Sequence, residues 1–554
     1  MADHYDDYTR EELIRLLRER DRKPKFGLVW ERDEIEHEKA INDDFVALDF
    51  DAGLSCGAAP FGNFIIEGDN FDALRFLRMT HAGKVKCIYI DPPYNTGNRD
   101  FIYNDRFIDK EDVYKHSKWL EFMYRRLEFA KELLAEDGVI FVSIDDNEVF
   151  NLGLLMNRVL GERNHIATVI WQKVYSPKNT AQHFSDDHEY VLIYSINRDV
   201  WRPNSLPRSQ DQTSAYKNPD NDPRGPWKAS DMTARNFYSK GLYEVTGPTG
   251  KKFTSGTRYW RQSYESFLEL DKENRIWWGP SGNNVPAFKR FLSEVKEGVV
   301  PQTLWKYQEV GHTQDAKKEV QEILQVEDSA LVFSTPKPIR LIERILRIAT
   351  KPGDLVLDFF AGSGTTAHAV LKLNQEDGGN RRFILVSNTE ATADAPDKNL
   401  CRDVCAERVR RVITGYRNKK GEWVEGLGGD LLKTRGASFA YLRARRIPAE
   451  TILSQIEHEQ VWTALQLIHT ETLAPFDATA LVQQAETENG AMLYVPKVAE
   501  ALVAILEQAI HDAGTAVIYS WQPGWLNQHI EDERASFQPI PQFLVNRFNL
   551  GART

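Results

Sequence analysis

The chain has 554 residues, 42% of them hydrophobic and 27% charged, with a formal net charge of −11. That length leaves room for large cores and about three domains, while the acidic balance excludes a surface that grips nucleic acid all over and leaves a local basic cleft open. The four cysteines, Cys56, Cys87, Cys401 and Cys405, exclude a disulfide scaffold, and the lack of a membrane-length apolar run or a basic, apolar leader makes a soluble, cytoplasmic protein the expectation.

Residues 8–22 read as a short helix, with Thr9 as N-cap and Leu13, Leu16 and Leu17 on one face. Phe64-Ile65-Ile66 reads as a strand that passes through Gly68-Asp69-Asn70 into a helix carrying Phe71, Leu74 and Leu77. Asp69 and Asn70 therefore fall at a strand end, where ligands collect in open α/β sheets; capping the helix is their other reading, and both can hold.

The stretch Cys87-Ile88-Tyr89-Ile90 is a buried apolar strand that ends in Asp91-Pro92-Pro93-Tyr94-Asn95. Two prolines fix two φ angles and remove two N–H donors, so the loop offers carbonyl acceptors, a carboxylate and an aromatic face. Those groups suit a planar ring bearing an amino group; a plain strand end is the alternative. Residues 98–109, polar and aromatic, are expected to form a mobile flap over this loop. A helix over 115–135 and a buried strand over 138–144 follow, and Asp145-Asp146-Asn147 either supports the catalytic loop or caps the next helix.

From about 171 to 330 the character changes. Residues 198–261 hold twelve Lys or Arg against six Asp or Glu, a net of +6, with nine aromatics interleaved, among them Trp201, Trp227, Tyr238, Tyr259 and Trp260. Cations neutralise phosphates and aromatics stack on bases, so this segment is expected to read DNA.

Phe333-Ser334-Thr335-Pro336-Lys337-Pro338 leads into a helix over 339–349, and Thr335 and Lys337 are placed to bind a carboxylate near its start. Asp354 to Asp358 is a second buried strand that turns through Phe359-Phe360-Ala361-Gly362-Ser363-Gly364-Thr365 into a helix. The loop is neither a dinucleotide fingerprint nor a P-loop, which favours a small cofactor without phosphates. After the next strand, Glu390 is nominated for ribose hydroxyls. Cys401 and Cys405 stand one helical turn apart with no histidine pair nearby, so no metal is expected. The arginines of helix 400–412 read as a solvated face. Residues 440–554 carry seven Lys or Arg against thirteen Asp or Glu; their strands at 491–495 and 516–519 flank a helix at 497–511, a small α/β unit for dimerisation, docking or stability.

Asp-Pro-Pro-Tyr followed much later by Phe-x-Gly-x-Gly resembles the β-class amino DNA methyltransferases, and Tyr8–Trp30, Glu67–Asn70, Ser143–Glu148 and Phe333–Pro338 resemble the Mod subunits of Type III restriction-modification systems. The resemblance covers roughly residues 5–440. It implies an α/β fold: a Rossmann-like methyltransferase sheet with circularly permuted motif order, an inserted target-recognition domain and a small C-terminal α/β domain. The expected divisions are 1–60 as a helical arm, 61–170 as the catalytic half, 171–330 as the recognition domain, 331–440 as the cofactor-binding half and 441–554 as an interaction domain. The implied cofactor is S-adenosyl-L-methionine (AdoMet), the implied substrate double-stranded DNA and the implied reaction methylation of a flipped adenine at N6. Asp91, Pro92, Pro93 and Tyr94 are then catalytic. Asp69, Asn70, Thr335, Lys337, Asp358, Phe360, Gly362, Ser363, Gly364, Thr365 and Glu390 bind the cofactor. Cytosine N4 is the alternative target. A homodimer and a Res-like helicase-nuclease partner are implied as well, and a subunit that mainly delivers such a partner is the second reading.

Overall fold

The computed structural model describes residues 9, 10, 14, 28–32, 42–103, 106–327, 333, 335–391, 395–429 and 437–550. The helix expected over 8–22 falls almost wholly outside the described residues.

Ten strands build the main sheet: β1 (Phe45–Cys56), β2 (Phe64–Glu67), β3 (Val85–Ile90), β4 (Leu134–Ile144), β5 (His165–Gln172), β6 (His188–Ser195), β7 (Leu304–Trp305), β8 (Leu355–Asp358), β9 (Arg382–Ser387) and β10 (Phe439–Ile447). Their spatial order is β1-β10-β2-β9-β8-β3-β4-β6-β5-β7. From β10 to β4 every neighbour is parallel, and β1 and β6 pair antiparallel at either side of that run. The parallel strands are short apolar runs, as burial on both faces requires. Helices cover them: Asn70–His81 lies against Lys115–Leu133, and Ile339–Ala349 against Thr365–Asp377. Helix 339–349 shows the logic plainly. Ile339, Leu341, Ile342, Ile345, Leu346 and Ile348 are buried while Arg340 and Arg344 ion-pair on the outer face.

Strands β3 and β8 are adjacent and in register, Val356 opposite Cys87 and Leu357 opposite Ile88. The chain leaves β3 towards β4 on one side and β8 towards β9 on the other, so a crevice opens between the two loops at their C-terminal ends.

Residues 98–109, expected as a flap, form a hairpin of Asn98–Tyr103 and Arg106–Asp109. Phe101 and Ile108 are buried, and the Phe101 ring meets Phe122 edge-on at 5.1 Å, so apolar residues read as a lid are core.

The chain divides into two compact units, Pro203–Pro301 and the remainder. The inserted unit is thus narrower than 171–330, because β5, β6 and β7 belong to the main sheet. It is built on Met232, Val245, Phe253, Trp260, Phe267, Ile276 and Trp278. Trp201, Trp227 and Trp260, read as base-stacking candidates, are buried; the last two lie in the inserted unit, which has little regular structure and uses its indoles as core. Phe237 is 74% exposed instead, between the exposed cations Arg235 and Lys240.

Neither terminal segment is an appendage. β1, inside the expected 1–60 arm, pairs with β10, inside the expected C-terminal domain. Beyond β10, a second sheet of Gln483–Thr487, Gly490–Val495, Ala516–Ser520 and Ala535–Pro539 has its own small core. Yet Met492, Tyr494, Tyr519 and Phe548 join the main core, and Phe548 lies 4.8 Å from Phe45. Among the described residues no helix is long and apolar enough to cross a membrane.

Candidate active site

Asp91 is the first residue past β3, and the loop it opens is braced from below. The Trp119 indole donates to the Pro93 carbonyl at 2.7 Å, and Asn95, fully buried at φ 58°, donates to Glu148 Oε1 at 2.5 Å. Among the described residues no hydrogen bond reaches the Pro92 carbonyl, which stays available as an acceptor. Asp145 and Asp146 spend their oxygens on Asn147 and Tyr190. The acid that supports the loop is their neighbour Glu148, 1% exposed, which also meets His116 and Asn151.

The Asp91 carboxylate sits in a cluster of charge. Lys337 Nζ donates to both its oxygens at 2.8 Å and to the Tyr94 hydroxyl at 2.9 Å. That hydroxyl lies 2.8 Å from Asp91 Oδ1 and 3.0 Å from Glu189 Oε2, and Lys173 holds the other Glu189 oxygen at 3.2 Å. Two carboxylates and two ammonium groups therefore surround one phenol, a neutral set. Burial pushes the Asp91 carboxyl up against the pull of Lys337. Burial also opposes the Glu189 carboxylate, but Lys337 and Lys173 outweigh it and hold Glu189 below the ordinary range. Burial opposes the Lys337 ammonium in turn, and Asp91 and Glu189 hold it above the usual lysine value.

The second loop is tied to the first through Lys337. Thr365 Oγ1 donates to the Lys337 carbonyl at 3.3 Å. Arg408, fully buried, donates to Ser363 Oγ at 3.0 Å and Thr365 Oγ1 at 2.8 Å. Arg408 was expected on a solvated face. It lies at helical spacing from Cys401, Val404, Cys405 and Val412 and shares their buried face, with a π-type turn over Cys401–Ala406 ahead of it. Asp358 uses both oxygens inside its own loop, accepting from Phe360 N at 3.0 Å and Thr366 Oγ1 at 2.5 Å. It shapes the turn. Gly362 and Gly364 both have positive φ; a Cβ on Gly362 would lie 2.6 Å from the Phe333 ring, and one on Gly364 would lie 3.1 Å from the Cys405 carbonyl. Gly364 starts helix Thr365–Asp377 without a side-chain cap, so the first-turn N–H groups face the crevice end of the loop.

Asp69 caps its helix by accepting from Phe71 N at 2.7 Å, and Asn70 Nδ2 donates to the Phe359 carbonyl at 3.0 Å. Asn70 thereby joins the strand-end segment to the glycine loop. Buried Arg126 supports both from helix 115–133, its guanidinium lying 3.6 Å over the Phe122 ring. Phe360 is half-buried with its ring 6.0 Å from Phe122. Thr335 is exposed. Glu390, at φ 51°, ion-pairs with Lys398 at 2.8 Å. Glu67, ending β2 opposite Ser387, instead reaches Asn399 at 2.8 Å. Lys173, Glu189, Glu148, Arg126 and Arg408 were not nominated from sequence. All lie far in sequence from the residues they serve, and of the five only Glu189 is marked by a lone acid at the head of an apolar strand.

Residues 85–391 match the family profile described as DNA methylase, the N6/N4 methyltransferase family. The StyLTI Mod subunit of Salmonella typhimurium is 35% identical over 385 residues, 64% of this chain and 57% of that protein. The EcoPI Mod subunit of Escherichia phage P1 is 34% identical, covering 59% of this chain and 58% of that protein. Methyltransferase M.KpnI of Klebsiella pneumoniae is 32% identical, covering 58% of this chain and 79% of that protein. The matched region thus spans less than two thirds of the Mod relatives' length. Among solved structures, PvuII DNA methyltransferase (cytosine-N4-specific) has a TM-score of 0.32 at 12% identity, covering 61% of this chain and 88% of that one. The M1.HpyAVI–SAM complex scores 0.27 at 16% identity, covering 59% and 93%. By the profile match and the identity to M.KpnI, the chain belongs to the DNA methylase family of N6/N4 methyltransferases.

Proposed function

We propose that the chain is an AdoMet-dependent, site-specific DNA methyltransferase that acts on adenine N6 and serves as the modification and specificity subunit of a Type III-like restriction-modification system. The observation that carries the reading is the junction of Asp91, the open Pro92 carbonyl and Tyr94 with the glycine loop at adjacent strand ends. The donor set fits AdoMet. The uncapped helix start at Thr365 suits a carboxylate, Asp69 and Asn70 offer polar atoms at a strand end, and no lysine-tipped phosphate loop is present.

AdoMet supplies, when bound, an electrophilic methyl group on a sulfonium sulfur. An adenine amine is a weak nucleophile because its lone pair is delocalised into the ring. Asp91 and the Pro92 carbonyl accept hydrogen bonds from its two N–H groups, which localises the lone pair for attack on the methyl carbon, with the S–C electron pair left on the departing sulfur. One amine proton passes to Asp91 or water, and Tyr94 lies against the flipped base. Positioning carries the catalysis, with no covalent intermediate. The aspartate at position 91 favours adenine, as the family resemblance implies; the same acceptors also suit cytosine N4. The Mod relatives support the restriction setting, in which a separate helicase-nuclease subunit would cut.

The test is transfer of labelled methyl from AdoMet to unmodified DNA by wild type and Asp91→Ala, with the modified nucleoside identified. Label in N6-methyladenine that the substitution abolishes is the expected result. Label in N4-methylcytosine overturns the base assignment, and no transfer by protein that binds DNA and AdoMet favours a delivery subunit.

A further inference from the structure

The Asp91 carboxylate that is to accept an amine hydrogen is already engaged, for Lys337 Nζ lies 2.8 Å from each of its oxygens. An incoming amine competes for the same lone pairs, so the ammonium must release at least one oxygen before the base is seated. Lys337 is 8% exposed at its side chain, and an ammonium leaving a carboxylate there needs another one. Glu189 is the acceptor within reach: its Oε2 lies 3.4 Å from Lys337 Nζ and 3.0 Å from the Tyr94 hydroxyl. Its other oxygen is fixed by Lys173, itself on β5's C-terminal side at 3.2 Å, so the carboxylate is held in place to receive the cation.

Resting on the methyltransferase reading above, we propose that Glu189 is a positioning residue that draws Lys337 off Asp91 as the target amine enters. The ammonium moves from a chelating position on Asp91 to a bond with Glu189. The Tyr94 hydroxyl, within hydrogen-bond distance of both carboxylates and of Nζ, stays paired throughout. Charge is conserved, since two carboxylates face two ammonium groups before and after. Of the two carboxylates Glu189 is the better anion, Asp91 being pushed up by burial while Lys337 and Lys173 hold Glu189 down. The resting contact is thus a plug on the base-accepting group, and Glu189 is where the plug goes.

The test is a double-mutant cycle on single-turnover methyl transfer at saturating AdoMet, with Glu189→Gln, Glu189→Asp, Lys337→Met and the Glu189→Gln/Lys337→Met pair. Glu189→Gln is expected to slow transfer about 30-fold, as for loss of a buried charge-assisted bond, with AdoMet and DNA affinities within about threefold of wild type. Glu189→Asp is expected to recover part of the rate. In the Lys337→Met background, which has no plug to move, Glu189→Gln is expected to cost less than about threefold. Equal losses in both backgrounds, a loss confined to AdoMet or DNA affinity, or no measurable transfer by Lys337→Met would each overturn the proposal. Failure of wild type itself to transfer methyl is a different result and sinks the function on which the proposal rests.

Discussion

Burial pushes the Asp358 carboxyl up to about 7, even though it accepts from Thr366 Oγ1 and Phe360 N. The unfolded chain loses that proton near pH 4, so the folded state binds it more tightly. Stability from this group is therefore full below about pH 4 and is lost as pH rises through about 7. Asp358→Asn keeps the shape and removes the titration. Its melting temperature relative to wild type is expected to rise as pH goes from about 4 to about 7, by the equivalent of up to about 4 kcal/mol, read by calorimetry across that range. At this scale the sequence was half legible. Asp91 and Tyr94 announce themselves because two prolines isolate them at a strand end. Glu189 and Lys173 do not, because an acid in His188–Ser195 and a base just past β5 become partners only when β6 and β5 are laid side by side in the folded sheet. Lys337 was legible as a cation near a helix start. Its actual partner, Asp91, is 246 residues away.

The glycine loop and the helix after it work as one element, held from behind by Arg408. Gly364 sits at φ +74°, with the Cys405 carbonyl 3.1 Å from where a Cβ would go. Gly364→Ala meets both the left-handed backbone penalty and that carbonyl, and is expected to cost about 1–3 kcal/mol of stability and to weaken AdoMet binding. Thermal melting and calorimetric titration with AdoMet check the two parts. Strand and helix types were readable wherever periodicity was strong: the helix expected over 339–349 runs Ile339–Ala349, and the strand expected over 138–144 extends back to Leu134. Arg408 shares the helical spacing of the buried Cys401, Val404, Cys405 and Val412, so its interior place was legible but was hidden by reading it together with the more exposed arginines around it.

For the whole molecule, sequence composition located the inserted unit but not its edges. The change of character was read at about 171, whereas the compact unit begins at Pro203, because strands β5 and β6 belong to the main sheet. Composition also overstated the surface, since Trp227 and Trp260 are interior. Among the cations that stay exposed, Arg235, Lys240 and Arg261 are candidates for phosphate contact. The triple alanine variant is expected to weaken duplex DNA binding uniformly across sequences and to lower the slope of log affinity against log salt by about 2–3, with AdoMet binding unchanged. Binding isotherms at several salt concentrations measure it.

The pairing of β1 with β10 joins Phe45 to Ile447 and Asp51 to Tyr441. During synthesis, some 400 residues separate the first strand from its ladder partner, a delay of roughly 20–80 s at about 5–20 residues per second. Throughout that interval an apolar strand leaves the ribosome with its hydrogen-bonding edge open. Soluble yield on overexpression is consequently expected to depend on translation speed and temperature more than on the stability of the finished fold.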